Sequence, residues 1–237
     1  MRFTPARPTC RRSSSLIHRS SVVVTRRRAS HHPHRKKFMN IAVLGTGKVG
    51  TALGTRLSSA GHQVVYGSRT RAGEKRTLTH REAVASADVV VTALPGTEVV
   101  TTLKEIGEDV LGEKVVLDPS AAFTPQMTMA YPGDSVAQQM QKRFPRTRVV
   151  KTLNTMNFTI MVDPLASLPQ ATAFVSGDDV AAKTVVTDLL ADLGWPRGSI
   201  LDLGGVETAL ATEHAAPLFF ATARSLGTAH FNLSISR

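Results

Sequence analysis

The amino-acid sequence predicts an α/β protein with a doubly wound parallel sheet and a smaller C-terminal α/β extension. Two observations predict this fold class. Short segments rich in Val, Ile and Leu alternate with stretches of helical periodicity from residue 40 onward, which is typical of a buried parallel sheet with helices on both faces. The first of these segments, residues 40–44, is followed directly by Gly45, Gly47 and Gly50, the glycine spacing of a Rossmann dinucleotide-binding fold.

The other elements follow from the same periodicity. Each predicted strand is a short apolar segment, and each predicted helix has apolar residues three or four positions apart. We expect strands at residues 40–44, 62–66, 88–94, 115–117, 148–153, 171–176 and 200–203. We expect helices at residues 49–60, 97–106, 135–144, 179–193 and 206–226. Pro217 lies within the last helical stretch and predicts a kink or the start of a second helix, and the alternating last nine residues predict a half-buried strand or an edge segment.

Net charge divides the chain. Residues 1–38 contain eleven of the 29 Lys and Arg residues and no Asp or Glu, whereas residues 39–237 carry eighteen charges of each sign. The formal net charge of +11 therefore belongs to the N-terminal segment, and the remainder gives no charge-based reason to bind nucleic acid or an anionic membrane. We predict three parts: a disordered basic extension (1–38), a Rossmann domain that binds the dinucleotide (39–165), and an α/β subdomain (166–237) that completes the site of the second substrate.

The basic extension has two interpretations. Its Arg- and Ser-rich, acid-free composition is typical of an organelle transit peptide. Alternatively it is translated upstream sequence, which we prefer because Met39 stands one residue before the first predicted strand. The only cysteine, Cys10, lies in this extension, so we expect no disulfide, thiol nucleophile or metal site in the folded part. This cysteine usage suits a reducing compartment, and no apolar stretch approaches the roughly twenty residues that span a bilayer, so we expect a cytoplasmic protein.

Each glycine of the turn has its own role. Gly45 allows a sharp turn after the strand, Gly47 lets a pyrophosphate approach the backbone, and Gly50 lets the helix pack close to the strand. The backbone N–H groups at the start of the helix and the positive end of its dipole favour the negative charge of a phosphate. The turn therefore predicts a dinucleotide cofactor.

The residues after the second predicted strand indicate NADP rather than NAD. An NAD enzyme normally has Asp or Glu there to hydrogen-bond the ribose hydroxyls, but this chain has Gly67, Ser68 and Arg69. A serine hydroxyl and a planar guanidinium bind a 2′-phosphate by charge-assisted hydrogen bonds, whereas a carboxylate would repel it. The alternative is that Arg69 and Arg71 are solvated loop charges with no ligand.

Seven motifs follow one another along residues 39–237: MNIAVLGTGKVGTALGTRL (39–57), GSR (67–69), DVVVTALP (88–95), VKTLN (150–154), FVSGD (174–178), LGW (193–195) and DLG (202–204). In this order the chain resembles the coenzyme F420-dependent NADP oxidoreductases, a family that includes the archaeal NADPH:F420 reductases. The resemblance implies hydride transfer between NADPH and a deazaflavin, coenzyme F420. It also implies a homodimer, for which the long C-terminal helix and the apolar end of the chain provide a surface.

The resemblance further implies the cofactor contacts. Thr46 to Val49 would wrap the pyrophosphate, Ser68 and Arg69 would hold the 2′-phosphate, and Lys75 would assist them from a loop that is longer here than in the family. The ends of the later strands would line the path to the nicotinamide. The predicted cofactor-binding residues are Gly45, Thr46, Gly47, Lys48, Val49, Gly50, Ser68, Arg69, Arg71, Lys75, Leu94, Pro95, Ser120, Leu153 and Asn154.

Direct hydride transfer needs two stacked rings and little help from acids or bases, and we assign no catalytic side chain. Glu213 and His214 are adjacent in the C-terminal helical stretch, and they either serve a proton transfer or have a packing or solvated role. Two other functions stay open: an NADPH-dependent imine or carbonyl reductase, which needs a proton donor near the nicotinamide, and a non-catalytic NADP sensor. We expect a small-molecule hydride acceptor and no nucleic-acid or membrane partner.

Overall fold

The computed structural model describes residues 38–69, 77–166, 168 and 170–235. The basic extension up to residue 37, Arg71 and Lys75 lie outside these described residues, so the predictions made for them stay predictions. Within the described part, no helix is long and apolar enough to cross a membrane, and no group of three or more His, Cys, Asp or Glu side chains is arranged to hold a metal ion.

One sheet runs through the described part of the chain. Its strands are β1 (Asn40–Leu44), β2 (Gln63–Gly67), β3 (Thr77–Leu78), β4 (Val89–Thr92), β5 (Val115–Asp118), β6 (Arg148–Thr152), β7 (Ala173–Ser176) and β8 (Ile200–Gly204). They lie in the order β3-β2-β1-β4-β5-β6-β7-β8, and every neighbouring pair is parallel except β6 and β7. Because the strand order reverses at β1, the carboxyl ends of β1 and β4 flank the position where open α/β sheets bind ligands.

Helices cover both faces of the sheet, so the predicted doubly wound α/β fold is confirmed. On one face Leu53 and Leu189 are buried, and on the other Leu103 and Met140 are buried. The helices of the described residues are α1 (Lys48–Ser59), α2 (His80–Ala85), α3 (Gly96–Ile106), α4 (Glu108–Leu111), α5 (Val136–Arg143), α6 (Phe158–Val162), α7 (Val180–Asp192), α8 (Ala209–His214) and α9 (Ala216–Leu226).

The direction of β7 differs from the prediction. The alternation of strands and helices predicts a parallel strand, but β7 runs antiparallel to β6, with Lys151 opposite Ser176 and Thr152 opposite Val175. A parallel strand needs a crossover, usually helical, that returns the chain to the other end of the sheet. In the described part of this connection the helix is the five-residue α6, which is too short for that return, so the chain re-enters the sheet in the opposite direction.

The sequence prediction also missed four short elements, β3, α2, α4 and α6. A local signal for α2 is present in the sequence, because Thr79 and Glu82 form a capping box at its start. Pro217 is the second residue of α9, so it begins a second helix rather than kinking a continuous one.

The end of the chain is an edge segment without strand structure in its described residues. The Asn232 side chain holds it to the residue before β7, since Asn232 Oδ1 accepts from the backbone N–H of Thr172 at 2.8 Å and its Nδ2 donates to the Thr172 carbonyl at 3.3 Å. The described residues form one compact unit, and β7 and β8 continue the same sheet. The predicted boundary between residues 165 and 166 falls between α6 and β7, and it stays a prediction.

Candidate active site

The glycine turn joins β1 to α1, and close backbone contacts surround it. Gly45 has a φ of +104°, and a β-carbon there would lie 2.3 Å from the carbonyl oxygen of Ala93 at the end of β4. A β-carbon on Gly50 would lie 2.2 Å from the carbonyl oxygen of Gly45. Neither position has room for a side chain, so the first turn of α1 is packed directly on the loop that follows β1.

Gly47 has a different environment. It is exposed, it forms the N-cap of α1 without a side-chain hydrogen bond, and a β-carbon there would meet no atom of the described residues within 4 Å. The first turn of α1 carries no acidic side chain, so nothing on that turn opposes an anion at the positive end of the helix. The turn therefore has the open backbone and the electrostatics that a pyrophosphate requires.

A groove of about 760 Å³ begins at this turn and follows α1 towards α6. Thr46 and Lys48 line the groove at the glycine turn, Arg56 lines it near the other end of α1, and α6 contributes Phe158 and Val162. The groove connects the glycine turn with the segment that follows β6.

Ser68 and Arg69 directly follow β2, and Glu98 lies beside Arg69. The backbone N–H of Ser68 donates to the carbonyl of Leu78 at 3.0 Å, which fixes the serine at the sheet edge. The Arg69 side chain is 80% exposed, and its guanidinium lies 3.5 Å from the carboxylate of Glu98 on the first turn of α3. An acidic side chain therefore does reach this region, from α3 rather than from the end of β2.

His80 is a second residue near this arginine that sequence reasoning missed. It is half-buried at the start of α2, and its ring carbon Cδ2 would lie 3.0 Å from a β-carbon on Gly67. Burial, and after it the positive charge of Arg69, lowers the pKa of His80 below its usual value. The capping box of α2 would have placed His80 at a helix start, although no sequence signal brings it near Arg69.

The loops after β4 and β5 meet beside the glycine turn. A β-carbon on Gly96 would lie 2.4 Å from the carbonyl of Ala121, so the start of α3 touches the loop after β5. Leu94 and Pro95 belong to the loop after β4, and Leu94 Cδ2 lies 3.3 Å from the β-carbon position of Gly45. Leu94, predicted to line the path from adenosine to nicotinamide, therefore lies next to the glycine turn.

The end of β6 combines backbone strain with unpaired polar atoms. Leu153 is buried and has a φ of +63°, a left-handed conformation that costs a non-glycine residue about 1–2 kcal/mol. On either side of it, the buried Thr152 Oγ1 and Asn154 Nδ2 have no hydrogen-bond partner among the described residues. Strain and unpaired buried groups concentrate at functional sites, and a hydroxyl beside an amide matches the donor and acceptor of a carboxamide ligand.

Ser120 belongs to a buried network at the ends of β5 and β6. Its hydroxyl donates to Asp118 at 2.6 Å, and Lys151 Nζ lies 2.8 Å from Asp118 and 2.6 Å from Glu213. Burial, together with the neighbouring Asp118 charge, raises the pKa of Glu213, although Lys151 opposes this effect. Glu213 is therefore buried and ion-paired, and the adjacent His214 is exposed. A lysine in the middle of a buried strand was the sequence signal for this network.

The predicted cofactor residues thus lie along one edge of the sheet. The glycine turn follows β1, Leu94 and Pro95 follow β4, Ser120 follows β5, and Asn154 follows β6, while Ser68 and Arg69 follow β2. Arg71 and Lys75 lie outside the described residues. The contacts of these residues with a cofactor remain a prediction.

Comparisons with known proteins identify the family to which the chain is similar. The sequence profile of the family described as "NADP oxidoreductase coenzyme F420-dependent" matches residues 40–122. The F420-dependent NADP reductase of Methanocaldococcus jannaschii is 27% identical over 205 residues, which cover 76% of this chain and 90% of that protein.

Among solved structures, one of the same description is similar to this chain, and a more distant one shares its fold. The crystal structure of a candidate F420-dependent NADP reductase from Arthrobacter sp. FB24 is 34% identical with a TM-score of 0.77, and the match covers 84% of this chain and all of that one. An imine reductase from Myxococcus stipitatus shares the fold, with a TM-score of 0.58 at 15% identity over 81% of this chain and 63% of that one.

Proposed function

Because the chain belongs to the coenzyme F420-dependent NADP oxidoreductase family, we propose that it transfers a hydride between NADPH and coenzyme F420. The chain is an NADP-dependent oxidoreductase by this membership. The single observation that carries the proposal is the continuous edge from the glycine turn to Asn154, which combines an open helix N-terminus at Gly47 with the unpartnered Nδ2 of Asn154.

The glycine turn would hold the pyrophosphate of NADP. A phosphate approaching Gly47 meets exposed backbone at the start of α1, because the space that a β-carbon would fill is open. Gly45 and Gly50 have no such space, and they would act only by shaping the turn. The side chain of Lys48 lies at the start of the groove, where it would add a positive charge next to the phosphates.

Ser68 and Arg69 would hold the 2′-phosphate. The Arg69 guanidinium is largely solvated and is paired with Glu98 across 3.5 Å, and an exposed pair of this kind contributes little to stability. A phosphate dianion offers the guanidinium a stronger, bidentate partner, so Arg69 exchanges Glu98 for the phosphate at low cost. We extend this site to Arg71 and Lys75 on the sequence alone.

The nicotinamide would lie at the ends of β5 and β6. Its carboxamide offers an acceptor to Asn154 Nδ2 and a donor to Thr152 Oγ1, the two atoms without partners in the described residues. Bound there, the nicotinamide supplies or takes the hydride. Ser120, Leu153 and Asn154 would orient the ring. Direct hydride exchange needs little acid or base chemistry, so catalysis would depend on close stacking of the two rings and on exclusion of water.

The groove along α1 begins at the glycine turn, and we propose that it receives part of the second substrate. Phe158 and Val162 provide an apolar wall, and Lys48 and Arg56 provide positive charge opposite the single acid Asp163. The arrangement supports a small-molecule acceptor that joins a flat apolar ring to anionic groups.

The proposal is tested by mixing the purified protein with NADPH and oxidised F420 and following the loss of nicotinamide absorbance. We expect rapid turnover with F420 and at least about a hundredfold slower turnover with FMN, quinones or cyclic imines. Faster reduction of an imine or carbonyl compound than of F420 would instead favour the imine or carbonyl reductase. Absence of turnover with every acceptor, despite NADPH binding, would favour a sensor.

We also propose a homodimer in which α9 meets its equivalent on a second copy. Leu218 and Leu226 are 56% and 59% exposed, and Phe220 is 39% exposed. Phe220 also packs edge-on against Phe123 and Phe219, so the helix that carries the exposed leucines also carries part of an aromatic cluster. Exposed apolar patches of this kind support protein–protein contact. The cytoplasmic location is proposed from composition alone.

A further inference from the structure

Three buried charged side chains lie behind the proposed nicotinamide site, and the proposed hydride transfer does not use them. They are Asp118 at the end of β5, Lys151 in β6 and Glu213 in α8, here called the buried charge cluster, and each is at most 1% exposed. The Lys151 ammonium lies 2.8 Å from Asp118 Oδ2 and 2.6 Å from Glu213 Oε1, and it also donates to the carbonyl of Ser120. All three of its N–H donors therefore have an acceptor.

The cluster fixes Ser120 through three of its polar groups. Asp118 Oδ1 accepts from the Ser120 hydroxyl at 2.6 Å and from the Ser120 N–H at 3.1 Å, while Lys151 binds the Ser120 carbonyl. The same Asp118 oxygen accepts from Thr92 Oγ1 at 2.6 Å. The strand that carries Lys151 continues directly into Leu153 and Asn154, so the cluster holds both sides of the proposed nicotinamide site.

Glu213 connects this site to a more distant part of the fold. Glu213 Oε2 accepts from the backbone N–H of Val136 at 3.1 Å, and its other oxygen lies 3.5 Å from the N–H of Ala137. These are the first two residues of α5. One carboxylate therefore caps α5 and at the same time holds Lys151.

The charges of the cluster do not cancel. Two carboxylates face one ammonium, and no other ion pair of the described residues reaches them. The partial positive charge at the start of α5 offsets only part of the excess. When both carboxylates are ionised, a net negative charge lies in a dry, weakly screened environment, where it acts over several ångströms.

We propose that the buried charge cluster positions Ser120 for the nicotinamide and, by its net negative charge, favours the oxidised, cationic nicotinamide over the reduced ring. The inference rests on the proposed binding of NADP and NADPH at this edge. Departure of a hydride with its electron pair turns the neutral dihydronicotinamide into a cation, and a nearby negative charge stabilises that product. The cluster thus promotes hydride donation from NADPH.

Glu213 is the member of the cluster whose charge most affects the preference for NADP+ over NADPH. Burial, and after it the Asp118 charge, raises the pKa of Glu213 although Lys151 opposes the shift, so Lys151 offsets only part of the cost of this buried negative charge. A cationic nicotinamide reduces that cost. Glu213 acts through Lys151 and Ser120, and it is therefore a positioning residue rather than a catalytic one.

The test compares the dissociation constants of NADP+ and NADPH by isothermal titration calorimetry for the full-length wild type, Glu213→Gln, Thr92→Val and Glu207→Gln. Glu213→Gln removes negative charge, and we expect it to weaken the binding of NADP+ about fivefold more than the binding of NADPH. This difference raises the reduction potential of the bound two-electron couple by ~20 mV. Thr92→Val removes a donor to Asp118, and we expect the opposite shift, of about twofold. Glu207 is exposed, so Glu207→Gln controls for charge removal and leaves the ratio unchanged.

Equal weakening of both nucleotides in Glu213→Gln, or shifts of the same sign in Glu213→Gln and Thr92→Val, would overturn the inference and leave a structural role for the cluster. If Glu213→Gln does not fold, Thr92→Val decides alone: a shift towards NADP+ supports the inference, and no shift overturns it. Failure of the wild type to bind either nucleotide would overturn the proposed function itself.

Discussion

The carbonyl oxygen of Ala93 lies 2.3 Å from the point that a β-carbon on Gly45 would occupy. The end of β4 thus closes directly on the glycine turn that follows β1. At Gly47, two residues later, the corresponding point is open to at least 4 Å within the described residues. Two glycines of one turn therefore have different functions, one in packing and one in leaving space.

Substitution by alanine separates these functions. Gly45→Ala forces a backbone clash at a positive φ, and we expect a loss of about 3 kcal/mol or more in the free energy of unfolding. Gly47→Ala should leave the melting temperature within about 2 °C of the wild type but weaken NADPH at least tenfold, because the methyl group enters the pyrophosphate space. Thermal denaturation and NADPH titration of both variants check this, and unchanged NADPH affinity in Gly47→Ala would contradict the placement of the pyrophosphate.

Arg69 tests the choice between NADP and NAD. Arg69→Ala should weaken the binding of NADPH by about 1.5–3 kcal/mol, the range for loss of a charge-assisted hydrogen bond, and should leave the binding of NADH unaffected. Glu98→Gln frees the guanidinium from its present partner, and NADPH affinity should rise modestly at low salt. Arg81, another exposed arginine in an ion pair, supplies the control variant Arg81→Ala. Equal losses for both nucleotides in Arg69→Ala would contradict a 2′-phosphate at this position.

His80 predicts a pH dependence of stability. Its pKa is lowered in the fold, first by burial and then by Arg69, so between pH 6.5 and the lower folded value the unfolded chain binds a proton that the folded chain does not. Stability from this residue is complete above pH 6.5 and is lost as the pH falls.

The melting temperature of His80→Asn should therefore fall less between pH 7.5 and pH 5.5 than that of the wild type. His214→Asn, at an exposed histidine, should behave as the wild type. The same pH dependence in His80→Asn and the wild type would show that protonation of His80 is not coupled to folding.

Asn154 and Asn157 provide a matched pair near the nicotinamide end. Asn154 Nδ2 is buried and has no hydrogen-bond partner in the described residues, so Asn154→Ala should keep or raise stability by up to about 1 kcal/mol while slowing hydride transfer about tenfold. Asn157 caps α6 by accepting from the Thr159 N–H at 3.0 Å, so Asn157→Ala should cost about 1 kcal/mol of stability with little effect on rate. Stopped-flow kinetics and thermal melts distinguish the two outcomes, and an unchanged rate in Asn154→Ala would remove Asn154 from the site.

The homodimer is tested at α9. Leu218→Asp combined with Leu226→Asp should convert a dimer into a monomer in light scattering after gel filtration, because a charge buried in an apolar interface has no partner. Val180→Asp is the control, since Val180 is 74% exposed and lies at the start of α7. A wild-type protein that is already monomeric at micromolar concentration would contradict the proposed dimer.

Local sequence patterns predicted most of the fold. The apolar strands and the glycine turn are visible in sequence because burial and backbone conformation restrict those positions strongly. The direction of β7 was not visible, because it depends on how the chain returns after β6 rather than on the residues of β7. The two-residue β3 and five-residue α6 are too short to show a period.

The site likewise contains residues that local sequence patterns indicate and contacts that only the structure reveals. Gly45, Ser68 and Asn154 could be proposed from the sequence because each follows a predicted strand, and the structure places each after a strand at the carboxyl edge of the sheet, where ligands bind. Glu98, Lys151 and the pairing of Glu213 were missed, because these contacts join residues far apart in the chain and depend on side-chain orientation. Lys151 within an apolar strand was the one local sign that a buried partner was required.

The most direct measurement of the central claim follows a labelled hydride. The full-length protein is mixed under single-turnover conditions with oxidised F420 and NADPH that carries deuterium at the transferred position of the nicotinamide, and the reduced deazaflavin is analysed by mass spectrometry. We predict one deuterium per molecule of reduced F420, transferred directly between the two rings. Reduced F420 without deuterium, or consumption of NADPH with no reduction of F420, would contradict the account.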